Sequence, residues 1–138
     1  MARRFSPVSL IGVGLVITML GCGRAPATLV PAKGRILKAD GKPLTDGRVG
    51  FMPVDDPKGF LNRHGTTPYS LLSEKGEFEA VLSGTKIGLP PGKYRIHLLS
   101  IGKQTQIPKQ YQDWQTTPWI ETIPSTGKTD ILLQLDAK

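Results

Sequence analysis

The 138-residue chain predicts an all-β fold, a single β-sandwich or barrel that begins near Leu29. Apolar and polar residues alternate with a period of two along several short windows, which puts every second side chain on one face of a strand. The 16 glycines and 12 prolines break these windows apart at roughly the 8–12-residue spacing of small β-domains. Glycine or proline also interrupts nearly every stretch long enough for three helical turns, so no helix is expected.

The strands follow in order. In Arg48-Val49-Gly50-Phe51-Met52-Pro53, Val49 and Phe51 share one face, and Arg48 and Met52 share the other. Glu77 to Leu82 turns Phe78, Ala80 and Leu82 inward, and Lys93 to Leu98 turns Tyr94, Ile96 and Leu98 inward. The last strand, Asp130 to Leu135, sends Ile131, Leu133 and Leu135 to the core. Between them, Asp40-Gly41-Lys42-Pro43, Thr45-Asp46-Gly47, Glu74-Lys75-Gly76 and Pro90-Pro91-Gly92 carry turn chemistry. Two long connections, Val54 to Tyr69 and Ser100 to Thr117, are expected to be irregular, and loops of that length in a small domain are commonly functional.

Ahead of the domain, Cys22 is the chain's single cysteine. It stands at the end of an apolar run, in Met19-Leu20-Gly21-Cys22-Gly23, behind a start that carries Arg3 and Arg4. Positive charge, an apolar core from Val8 to Leu20 and a small residue before the break make a secretory signal. The site resembles a bacterial lipobox, in which diacylglycerol alkylates the cysteine thiol and the chain is cut before it. The apolar core is shorter than the roughly 20 residues a spanning helix needs, and no stop-transfer cluster follows. The expected organisation is a signal peptide over 1–21, the lipidated cysteine and a short tether over 22–28, and the sandwich over 29–138. With its thiol under lipid, the domain forms no disulfide and depends on packing.

Loss of 1–21 removes Arg3 and Arg4 and no acidic residue, which lowers the formal charge from +7 to +5. The remaining basic residues are scattered without a run or an aromatic stripe, a pattern that argues against nucleic acid and reads as a solvated surface.

Ordered turn blocks then carry a resemblance. Gly34 to Leu44, Gly47 to Pro53, Ser73 to Phe78 and Leu89-Pro90-Pro91-Gly92-Lys93-Tyr94 look like successive blocks of the carboxypeptidase regulatory-like, transthyretin-like family. The stretch Ile107 to Trp119 with the last apolar strand is similar to small lipoproteins of planctomycete-type bacteria that carry this domain. The resemblance implies a Greek-key, Ig-like sandwich of seven or eight strands and an accessory or adhesion-like role without catalysis. The hydrolase branch of the transthyretin-like proteins needs several histidines and a C-terminal Tyr-Arg-Gly-Ser. This chain has two histidines and ends Leu135-Asp136-Ala137-Lys138, so that activity does not carry over.

Other chemistry has few candidates. His97 falls on the face opposite Tyr94, Ile96 and Leu98 and is expected at the surface or rim. His64 sits in the long loop near Asp55 and Asp56, a pair that reads as a solvated turn before Pro57. Ser70, Ser73 and Ser83 lack the glycines of a nucleophile elbow. No metal-ligand spacing of a recognised kind is present, and no cofactor is expected. Tyr111, Trp114 and Trp119 form either a platform for a polysaccharide or protein partner or a cap buried over an open part of the sandwich. Two function classes follow. One is a non-enzymatic envelope lipoprotein, held to the membrane through Cys22, that acts as an interaction or structural module. The alternative is an accessory binder of a small ligand or metal through the His64 loop and His97.

Overall fold

The computed structural model describes residues 28–99 and 107–136. Cys22 and the segment proposed as its signal lie outside them. The described residues form nine strands: β1 (Ala32–Leu37), β2 (Arg48–Pro53), β3 (Tyr69–Leu71), β4 (Glu77–Glu79), β5 (Val81–Ser83), β6 (Lys86–Ile87), β7 (Gly92–Leu99), β8 (Ile120–Ile123) and β9 (Lys128–Gln134). They pair as a 3-stranded sheet, β4-β1-β9, and a 6-stranded sheet, β6-β5-β3-β2-β7-β8. The extra strand over the seven or eight expected comes from one continuous extended stretch. It leaves the small sheet after Glu79, passes the buried Ala80 and joins the large sheet at Val81.

The period-two pattern decides which faces meet. Ala32 and Ile36 of β1, Phe78 of β4, and Ile131 and Leu133 of β9 point from the small sheet into the core. Val49 and Phe51 of β2 and Tyr94, Ile96 and Leu98 of β7 point in from the large one. Phe51 and Phe78 touch across the gap, with ring centroids 5.8 Å apart. Each fully buried side chain of this size contributes about 1.5–3 kcal/mol. The outer face of the small sheet is polar by comparison. Lys33 and Glu79 (3.6 Å) and Arg35 and Glu77 (3.5 Å) face each other across β1 and β4 as exposed pairs, each contributing about 0–1 kcal/mol.

One expectation is overturned in the first long connection, where residues Pro57–His64 form a two-turn helix, α1. Asp56 caps it by accepting the Gly59 N–H at 3.1 Å, and Pro57 supplies a preset φ where no N–H is needed. Gly65 ends it in the left-handed region, with its N–H donated to the Leu61 carbonyl. Asp55 and Asp56 are exposed just before Pro57, as expected of a solvated turn, and Asp56 in addition caps the helix. Local capping and a single buried residue, Phe60, hold a helix too short for periodicity to reveal. Phe60 meets Tyr94 edge-on at 6.2 Å and closes one end of the sandwich.

Among the described residues of the second connection, which begin at Ile107, Lys109–Gln112 form a 3-10 turn. This segment fills the space along β7 where β8 stops short. The Ile96 N–H donates to the Trp119 carbonyl at 3.0 Å, and the buried Thr117 hydroxyl donates to the Ile96 carbonyl at 2.6 Å.

Candidate functional site

The aromatic trio divides. Tyr111 is fully buried and Trp119 nearly so, with ring centroids 4.5 Å apart. The Tyr111 hydroxyl is tied to Asp136 just past β9. Burial pushes the Tyr111 hydroxyl above its ordinary pKa. Trp119 sits opposite Ile96 and so inherits that residue's inward face. Both rings therefore pack between the sheets, and a docking platform built on all three is not available. Trp114 alone is half-buried, on the turn where Asp113 accepts the Gln115, Thr116 and Thr117 N–H groups.

His97 departs from the rim position expected of it. It faces away from the core, as the alternation requires, yet it is only 7% exposed. Gly50 lies directly across β2 and leaves a niche that the imidazole fills. Its Nδ1 is buried and has no hydrogen-bond partner among the described residues. Burial lowers its pKa, against a smaller opposing pull from Asp113. On the same outer face, the Arg48 guanidinium stacks over the Tyr69 ring at 4.1 Å. This arrangement packs the face and offers no acid-base pair.

His64 lies elsewhere, at the helix end of the sandwich. There α1 and the Pro90-Pro91-Gly92 corner flank a cleft of about 320 Å³, with Phe60 and Tyr94 among its walls and Asp55, Arg63, His64 and Lys93 around them. The His64 ring packs against Phe60 at a tilt, with ring centroids 4.4 Å apart. Burial, Arg63 and Lys86 all lower its pKa, which favours the neutral imidazole. His97 is not part of this cleft, and the structure does not join the two histidines. Among the described residues, no three His, Cys, Asp or Glu side chains gather as a metal would require.

Ser70 is buried, and its hydroxyl accepts the Glu79 N–H at 3.0 Å. That bond ties β3 to β4 and gives the serine a structural place. A second, larger depression of about 700 Å³ runs from Lys33, Arg35, Glu77 and Glu79 of the small sheet to Ser70 and Leu71 of β3, with the exposed Leu71 and Leu132 in its lining. Sequence reasoning missed the cleft at α1 because its walls come from two separate connections. The one local signal for it was Asp-Pro at the start of the helix and Gly65 after it.

No protein-family model and no curated protein matches the chain. Among the described residues, no helix is long and apolar enough to cross a membrane.

Proposed function

We propose that the chain is a non-enzymatic lipoprotein of the cell envelope, anchored through lipid on Cys22, whose sandwich serves as an interaction or structural module outside the cytoplasm, with the outer membrane favoured. The observation that carries this reading is Met19-Leu20-Gly21-Cys22-Gly23 behind a charged start and a short apolar run. Lipid attachment at a cysteine needs that residue at the end of the apolar run and no other, and this chain has no second thiol. Two or three acyl chains, at about 0.8 kcal/mol per buried methylene, hold a protein to a bilayer durably, whereas one does not. Thr28, the first described residue, follows Cys22 by six positions, so the module stays close to the bilayer. The turn blocks from Gly34 to Tyr94 support placing the module in the carboxypeptidase regulatory-like, transthyretin-like group.

The test is metabolic labelling with an alkyne fatty acid in a bacterium that processes lipoproteins, with Cys22→Ser beside the native chain. Label on the native protein only, and an N-terminal peptide whose mass starts at acylated Cys22, is the expected result. Unlabelled native protein cut elsewhere ends the lipoprotein reading. Crosslinking the lipidated protein in cells then identifies the envelope protein or polysaccharide it holds.

The cleft beside His64 supports a second reading, accessory binding of a small ligand. Its apolar floor and surrounding charges suit a small anion better than a metal.

A further inference from the structure

The anchor and the fold together select which end of the domain meets the membrane. The Val30 N–H donates to the Leu89 carbonyl at 2.9 Å, and the Leu89 N–H returns the bond to Val30 at 2.9 Å. The chain therefore enters the domain against the Leu89-Pro90-Pro91 corner, beside the cleft at α1. From Cys22 to Val30, an extended chain reaches at most about 30 Å. The strand registers collect the ends of β2 and β8 and the starts of β1, β7 and β9 at this same pole.

Among the described residues this pole is the more basic one. Lys58, Arg63, Lys86 and Lys93 are all exposed there; Arg63 pairs with Asp56 at 3.6 Å, which leaves the three lysines against Asp55. The nearby Lys128 is already paired with Glu121 at 2.8 Å. The field is felt locally, since Arg63 and Lys86 both act on His64. At the opposite pole, the connections and strand ends among the described residues carry Lys38, Lys42 and Lys75 together with Asp40, Asp46, Glu74 and Asp136. The basic pole also carries an apolar contact, since Leu61 lies one turn from Lys58 on α1 and is 37% exposed.

Resting on the lipid anchor proposed above, we infer that the pole formed by α1, the Lys86 turn and the Pro90–Lys93 corner docks on anionic lipid headgroups of the anchoring membrane, through Lys58, Arg63, Lys86 and Lys93. A tether this short raises the local headgroup concentration, and clustered lysine and arginine near an anionic surface are drawn to it within a Debye length. Docking fixes the opposite pole outward, with the Lys38–Asp46 and Leu72–Gly76 connections presented to the envelope space.

The lipidated full-length protein can report this directly, because Cys22 is the only native cysteine and its thiol is taken. One dye on Leu61→Cys marks the basic pole, and one on Asp40→Cys marks the far pole. Each protein is inserted into vesicles of phosphatidylcholine alone or with about a third phosphatidylglycerol, with an acceptor dye on the headgroups. On anionic vesicles the Leu61 site should transfer energy at least about twofold more than the Asp40 site. That difference should collapse on neutral vesicles and at ~1 M salt, where the Debye length is about 3 Å. Changing Lys58, Arg63, Lys86 and Lys93 to Gln together should do the same on anionic vesicles, with a thermal unfolding curve as the check on folding. If that variant does not fold, the lipid-charge and salt comparisons on the native charges still decide. Flotation with both vesicle types but equal transfer from the two sites overturns the docking and leaves the anchor standing. Flotation with neither overturns both, and flotation with anionic vesicles alone supports the docking while removing the anchor.

Discussion

The Tyr111 hydroxyl both donates to Asp136 Oδ2 at 2.9 Å and accepts the Asp136 backbone N–H at 3.0 Å. One phenol thus joins the connection before β8 to the end of the last strand, and so joins the two sheets. Replacing Tyr111 by Phe keeps the buried ring and strands the Asp136 N–H. A loss of about 1–3 kcal/mol is expected, read from the denaturant midpoint at unchanged slope.

Two glycines should differ in what a single methyl does. A Cβ on Gly34 would meet the Ile131 carbonyl oxygen, which is backbone and cannot turn aside. A Cβ on Gly50 would meet the His97 ring, which is a side chain. Gly34→Ala should therefore cost more than the roughly 1–3 kcal/mol usual for overpacking, or prevent folding. Gly50→Ala should fall within that range and recover when combined with His97→Ala, as a double-mutant cycle would show.

His97 makes stability depend on pH. Its folded pKa lies below the ordinary 6.5, so on acidification the unfolded chain takes up the proton first. Stability is then complete above pH 6.5 and declines as the pH falls toward the folded value. His97→Leu removes the buried Nδ1 that has no partner among the described residues, so it should leave stability at neutral pH unchanged or higher. It should also flatten the decline below pH 6.5, and the slope that remains should belong to His64. Melting curves at stepped pH test both parts, and an unchanged slope would refute the assignment.

The tryptophans should separate cleanly. Trp119→Ala empties a core position and should cost about 3–5 kcal/mol. Trp114→Ala should cost under about 1 kcal/mol, because the ring is only half-buried on an exposed turn. Partner capture that survives Trp114→Ala would show that no aromatic of this segment holds the partner.

The strand faces were legible because a period of two needs no knowledge of the partner strand. Every inward residue read from β2, β4–β5, β7 and β9 is buried. Two features were hidden for different reasons. The helix at Pro57–His64 depends on caps at its two ends and buries one residue, so no apolar stripe marks it. The burial of His97 depends on Gly50, which sits across the sheet and far away in sequence. Alternation gives the direction of a side chain correctly, and tertiary pairing decides whether water waits there. The cleft beside His64 shares that limit, since α1 and the Pro90–Gly92 corner meet only in the fold.

β1 pairs in parallel with β9, and along that seam Gln134 reaches back to the Lys38 carbonyl across 96 positions. The small sheet therefore stays incomplete until the final strand arrives. Closing so long a loop is slow compared with local pairing, so the meeting of β1 and β9 is expected to be a late step in folding. A ribosome-bound or truncated chain that lacks Lys128–Gln134 leaves Ala32, Ile36 and Phe78 without the wall that Ile131 and Leu133 supply. Such a chain is a substrate for chaperones and proteases until β9 pairs with β1 and completes the small sheet.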